Sequence, residues 1–345
     1  MHVPDGFIDA PTSAVTGVVA AGALAVSLRG ARRELDERTA PLAGLVAAFI
    51  FAVQMLNFPV AAGTSGHLLG GALAAILVGP CTGVLCVSVV LLMQGILFAD
   101  GGLTALGVNV TDMAIVTTVV SYAVFRGLVK VLPRGRRSIT VASFVAALVS
   151  VPAAAVAFTL IYAVGGTTDV AISKVATAMI GVHVLIGIGE AVITSLTVGA
   201  VVAVRPDLVY GARGLRQRLK LRVDGELVDA PATPVPAAAR TSRRGLWITG
   251  LVTSLVLAGF VSFYASANPD GLEKVAHDKG IDKKTGRHAS SDSPLAGYGV
   301  KDISDARLSG GLAGVIGVGF TVVVGSTVFW VVARRRRASE PAEAA

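Results

Sequence analysis

The sequence predicts an all-α integral membrane protein: a polytopic helical bundle of about seven segments followed by a C-terminal two-helix hairpin, with the N-terminus outside and the C-terminus inside. Three observations lead there. Of 345 residues, 53% are hydrophobic, and the mean hydropathy is +0.72. Only 15% are charged, against roughly 25% in soluble domains, so there are too few polar groups for a surface that faces water throughout. The basic residues gather in short clusters between long apolar runs, as the positive-inside rule requires.

A helix needs about 20 apolar residues to cross the hydrocarbon core. Nine segments approach or reach that length: 10–28, 41–58, 66–79, 82–99, 108–130, 139–163, 175–204, 245–266 and 310–333. The third is short and reads as a half-span or a deeply buried segment. With the N-terminus outside, the stretches 29–40, 126–138, 205–244 and 334–337 face the cytoplasm. They hold four, five, nine and four basic residues, 22 of the chain's 30 Lys and Arg. The exterior loop 267–309 carries seven basic residues, balanced by seven acidic ones. In a soluble protein the net charge of +8 would point to nucleic acid. Here loop anchoring at the lipid bilayer accounts for it, and no nucleic-acid partner is expected. No basic region precedes the first span and no convincing cleavage pattern follows it, so the N-terminus is expected to persist in the mature protein.

Four regions follow from this. Residues 1–204 form a bundle with short loops. Residues 205–244 form a basic linker, Pro/Ala-rich at Ala230–Pro236 and expected to be semi-extended. Residues 245–333 form a two-span hairpin around the loop 267–309, and 334–345 a cytoplasmic tail. Cys81 and Cys86 lie in apolar sequence without CxxC spacing and read as packing residues.

The opening Met1-His2-Val3-Pro4-Asp5-Gly6 carries distinctive chemistry. A terminal amine, the backbone nitrogen of residue 2 and its imidazole can chelate one metal through a five- and a six-membered ring. An amide nitrogen ligates only after losing its proton, which favours metals with a planar preference, Ni(II) or Cu(II). Pro4-Asp5-Gly6 favours a turn that folds the tail back onto the bundle. Three donors leave a planar site one short. His67, in Thr64-Ser65-Gly66-His67, lies on the same side and is the leading fourth donor, with Thr64 and Ser65 placed to orient its other ring nitrogen. A chance Met-His start and a packed core histidine are the plainer alternatives. Gln94, Asn109, Asp112, His183 and Glu190 are further polar groups inside spans, where they are costly. His183 and Glu190, seven apart, share one helix face and read as structural or coupling residues more than as ligands. Asp100 and Asp112 flank a Gly-rich loop, either drawing cations inward or capping helices. His277 and His288 lack ligand-like spacing. There is no P-loop, HExxH or GxSxG motif, so neither ATP use nor hydrolase chemistry is expected of this chain.

Met1–Phe7, Gly63–Gly71 and Leu97–Thr104, in that order, resemble the CbiM/NikM family, the substrate-binding membrane components of energy-coupling factor transporters for cobalt and nickel. His183–Glu190 fits as well, and the likeness runs to about residue 204. It implies metal ligation by the Met1 amine, the backbone nitrogen and imidazole of His2, and His67. Asn268-Pro269-Asp270-Gly271-Leu272-Glu273 resembles the PDGLE domain, a two-span partner of the nickel-type component, and leans the reading toward nickel. The resemblance further implies a transmembrane coupling subunit and cytoplasmic ATPase subunits as partners. ATP would be used only by those partners, and Ni(II) or Co(II) would be the cargo. A membrane metalloenzyme built on His67, His183 and Glu190, and a metal channel or secondary transporter without ATPases, are the competing classes.

Overall fold

The computed structural model describes residues 1–35, 39–61, 63–215, 220–223, 226–229 and 243–337. All nine expected apolar segments are helical. They are α1 (Ala10–Glu34), α2 (Ala40–Gln54), α3 (Gly71–Val78), α4 (Pro80–Met93), the run α5 (Leu106–Asn109) to α6 (Thr117–Val131), α7 (Arg136–Gly165), α8 (Ile172–Val204), α9 (Arg243–Gly259) and α11 (Ala306–Arg337). A tenth, amphipathic helix α10 (Gly271–Lys279) lies in the loop between α9 and α11. Seven of the helical spans are long and apolar enough to cross a membrane. Their outward faces carry bare apolar side chains such as Val18, Leu160, Leu196 and Val323, the surface that lipid tolerates and water does not.

The interruptions have local causes. α2 stops at Gln54, short of the expected 58, because the chain turns into a hairpin of β1 (Phe58–Ala61) and β2 (Thr64–Gly66). From β2 the chain runs inward without regular structure to Gly70, whose φ of 89° opens α3. Eight residues of helix rise about 12 Å, so α3 is the half-span that the short third segment implied. α4 continues through a π-helical turn at Gln94–Phe98, and another at Val110–Val116 joins α5 to α6. Wide turns of this kind relax the helical ladder and occur most often beside functional positions.

Packing is dominated by small residues. A Cβ on Gly107 of α5 would stand 2.4 Å from the Gly17 backbone nitrogen of α1, so those two backbones touch directly. α2 is almost wholly buried and lies against α9 and α11, which joins the first block to the second. Part of the expected linker is folded. Residues 206–208 and 210–215 form 3-10 turns, and β3 (Lys220–Val223) pairs with β4 (Glu226–Asp229) as an antiparallel hairpin. Arg38, the Pro/Ala-rich run 230–236 and the tail beyond 337 lie outside the described residues.

The loops sort to two ends. The N-terminus, the β1–β2 hairpin, the loop after α4 and the loop holding α10 meet at one end. Glu34, Cys81, Thr82 and Arg213 meet at the other. Gly107→Leu should force α1 from α5, an overpacking cost of about 1–3 kcal/mol. The check is the thermal-unfolding midpoint in detergent, with Gly127→Ala, which nothing approaches within 4 Å, as the neutral comparison.

Candidate metal centre

The first nine residues form an extended plug. Val3 is gripped twice by one side chain: its N–H donates to Asn109 Oδ1 at 2.7 Å and its carbonyl accepts from Asn109 Nδ2 at 3.1 Å. The same carbonyl accepts from the Gly102 N–H at 2.8 Å. Asp5 accepts from the N–H and hydroxyl of Thr104 at 2.8 and 2.6 Å. Only glycine fits at 102, since a Cβ there would stand 2.2 Å from the Asp5 nitrogen. Thr167 then holds Gly6 and Phe7, and Asp9 caps α1. Residues 1 and 2 are therefore fixed from the residue that follows them.

The Met1 amine is buried. It donates to His67 Nε2 at 2.6 Å and to Asp270 Oδ2 at 2.5 Å. His67 Nδ1 donates to the Leu68 carbonyl at 3.0 Å. A carbonyl can only accept, so this bond fixes the tautomer and leaves the Nε2 lone pair facing the amine. The His2 ring lies edge-on to that of His67, with centroids 5.1 Å apart and planes at 88°. Asp100 Oδ1 stands 2.9 Å from His2 Nδ1, and His2 Nε2 is buried without a hydrogen-bond partner. Orphaned buried nitrogens are rare and call for a missing partner.

The separation of amine and imidazole suits a metal. Two nitrogen donors about 2.0 Å from one ion and at right angles to each other stand about 2.8 Å apart. Among the described residues, no three His, Cys, Asp or Glu side chains converge as a metal cluster. Any site here must draw on the terminal amine and backbone.

Two carboxylates rim these nitrogens. Burial raises the Asp270 carboxyl, but the Met1 ammonium beside it outweighs burial and holds it well below the usual carboxylate range. Burial likewise raises Asp100, yet His2 and the Tyr298 hydroxyl hold it at about 2. Tyr298 Oη donates to Asp100 Oδ2 at 2.6 Å, and His288 Nε2 donates to the Gly101 carbonyl at 3.1 Å. A cleft of about 530 Å³ opens onto His2, His67, Asp100 and Asp270 between the two blocks.

Of the residues singled out in the sequence, Met1, His2 and His67 come together. Asn109 positions the plug. Glu190 accepts from the N–H groups of Leu69 and Gly70 at 2.7 and 3.1 Å. Its two oxygens cap the N-terminal end of α3 and hold the loop that carries His67. His183 donates through Nδ1 to the Met179 carbonyl at 2.7 Å, and its Nε2 is buried without a hydrogen-bond partner near Gly271.

Three expectations need correction. Thr64 and Ser65 do not orient His67, since the Leu68 carbonyl holds Nδ1. Ser65 instead secures the opposite block, donating through Oγ to the Asn268 carbonyl at 2.7 Å and through N–H to the Pro269 carbonyl at 2.9 Å. Asp112 is buried in its span, its side chain without a hydrogen-bond partner and outside the cleft lining, whereas Gln94 is buried behind the cleft beside the Tyr298 hydroxyl. Asp100 meets His2, whereas Asp112, paired with it as a loop flank, does not. Asp270, Asp5, Tyr298 and His288 were not singled out as site residues. The D-x-x-E spacing of Asp270 and Glu273 announces only a helix cap.

Comparison with known proteins follows the same division. The family model for the cobalt uptake substrate-specific transmembrane region, CbiM, matches residues 2–208, and the PDGLE domain model matches residues 244–334. A fused nickel transport protein, NikMN, of Rhodobacter capsulatus is 44% identical over 125 residues, 36% of each chain. A cobalt transport protein, CbiM, of Sorangium cellulosum is 33% identical over 216 residues, 61% of this chain and 94% of that one. A crystal structure of a transition metal transporter superposes with a TM-score of 0.52 at 29% identity, covering 59% of this chain and 93% of the other.

Glu190→Ala strands two buried N–H groups at about 1–3 kcal/mol each and should lower the unfolding midpoint in detergent clearly. Glu190→Gln keeps one of the two acceptor oxygens and should fall between Glu190→Ala and the wild type. Equal midpoints for the two variants would count against the capping role.

Proposed function

The chain belongs to the CbiM family of cobalt-uptake substrate-specific transmembrane regions, and from that premise we propose that it is the substrate-binding component of an energy-coupling factor importer for Ni(II) or Co(II). It is a multi-pass membrane protein of a transport family rather than an enzyme. The metal is held by the Met1 amine, the backbone nitrogen and imidazole of His2, and His67 Nε2. The observation that carries this reading is the buried amine 2.6 Å from the His67 lone pair, with the His2 ring edge-on to that of His67 beside it.

The chemistry follows from the donors. A terminal ammonium must shed a proton to ligate, and so must the amide. Binding therefore releases about two protons per metal and weakens in acid. Nickel and cobalt both accept such ligands. The nickel-named relative that is also fused favours nickel. The metal enters through the cleft at the plugged end, which faces outward in this reading. A coupling subunit and ATPase subunits act at the opposite, basic end and drive release. Residues 1–204 form the metal-binding unit and 245–333 the PDGLE-like partner, joined by 205–244.

Residues added before Met1, or acetylation of its amine, should abolish tight Ni(II) and Co(II) binding measured by calorimetry on the purified chain. His67→Ala should do the same. His183→Ala should spare binding, whereas a catalytic site on His183 and Glu190 predicts damage. Repeating the titration in buffers of different ionisation enthalpy should return the two-proton release. Unchanged affinity after the amine is blocked would remove the proposal. Metal uptake into cells lacking the ATPase subunits would favour a channel or secondary transporter.

A further inference from the structure

The four-nitrogen reading leaves the faces of the metal plane open. Asp270, from the opposite block, lies beside two of the four nitrogens. Its Oδ2 lies 2.5 Å from the Met1 amine and 3.4 Å from His67 Nε2. An oxygen standing over a metal plane lies about 3 Å from each in-plane donor when its own bond is about 2.1 Å. The two observed distances straddle that value. The other oxygen, Oδ1, accepts from the Glu273 N–H at 2.8 Å, and the Asp270 N–H donates to Glu273 Oε2 at 3.3 Å. This capping box fixes the carboxylate at the head of α10 with Oδ2 directed at the amine. α10 in turn packs on α8, where Gly271 allows close approach: a Cβ there would meet Val182 and Ile186 at 2.9 and 2.8 Å. Ser65, two residues before His67, ties the same segment down through the Asn268 and Pro269 carbonyls.

We propose that Asp270 is a fifth ligand of the transported metal, its Oδ2 taking the apical position over the four nitrogens. The inference rests on the four-nitrogen reading and extends it. Charge supports the assignment. Without metal, Asp270 faces one ammonium charge. With metal, two positive charges arrive and two protons leave, so the divalent ion and its amidate ligand again present one positive charge to the same carboxylate. A buried carboxylate that matches both states has no electrostatic reason to withdraw. The C-terminal block thus contributes a metal ligand and is more than a packing partner.

The test uses the full chain purified in detergent and loaded with Ni(II), with the coordination read by X-ray absorption and the affinity by calorimetry. The wild type should show five light-atom donors without the pre-edge signature of a planar ion. Asp270→Asn and Asp270→Ser both keep an acceptor for the Glu273 N–H and so the helix cap. Both should show four donors, the planar signature, and an affinity about 10- to 100-fold weaker. Identical coordination in the wild type and both variants, or a planar wild-type ion, would overturn the assignment. His67→Ala separates the two layers. Its loss of binding alongside unaltered Asp270 variants would leave the four-nitrogen site standing and remove only the fifth ligand. Retained binding in His67→Ala would remove the four-nitrogen site itself.

Discussion

A buried ammonium group is tolerated only beside a counter-charge and acceptors. The terminal amine of Met1 has both, in Asp270 and His67. Much of the site end of the molecule is arranged around that group. Asn109 and Gly102 hold Val3 so that the amine reaches inward. Glu190 holds the Leu69–Gly70 turn so that His67 reaches it from the other side. The capping box of α10 presents the carboxylate. Three separate parts of the chain thus meet at one nitrogen.

The half-span α3 makes the meeting possible. A continuous helix would expose no main-chain N–H groups at the depth of Glu190. Breaking the third segment frees the N–H groups of Leu69 and Gly70 for a carboxylate from α8. The same break lets residues 64–70 run as open chain between blocks, with Ser65 facing the α10 loop and His67 facing the amine. Irregular backbone at this depth is tolerable because it is enclosed by protein and not by lipid.

Much of this was legible in the sequence. Apolar length and basic loops placed all nine segments, because the bilayer imposes one length scale on every span. The short third segment was visible as such. Met1 and His2 could be read from chelate-ring chemistry, and His67 from its polarity in an apolar setting. Asp270 could not be read this way. Its partner lies 269 residues away, and local spacing explains the residue fully as a helix cap. Ser65 was misjudged because proximity in sequence to His67 suggested a bond to it, while the ring turned instead to the Leu68 carbonyl. Gln94 and Asp112 stood out because burying them is costly, but cost gives no direction: Gln94 backs the cleft through Tyr298, and Asp112 does not reach it. Asn109, at the end of α5, finds its partner Val3 106 residues away, which no periodicity announces.

The plug of residues 1–9 has one more consequence, for the order in which the molecule is completed. Residue 1 makes its defining contact with a loop that follows the eighth of nine apolar segments. Until that loop arrives the amine has lost its counter-charge, and the extended tail has lost the Gly286 N–H that meets the Asp5 carbonyl at 2.7 Å. Contacts so distant in sequence form late. The centre is therefore assembled only after nearly the whole chain has entered the membrane, and a partly synthesised chain presents an open seat in place of a finished one.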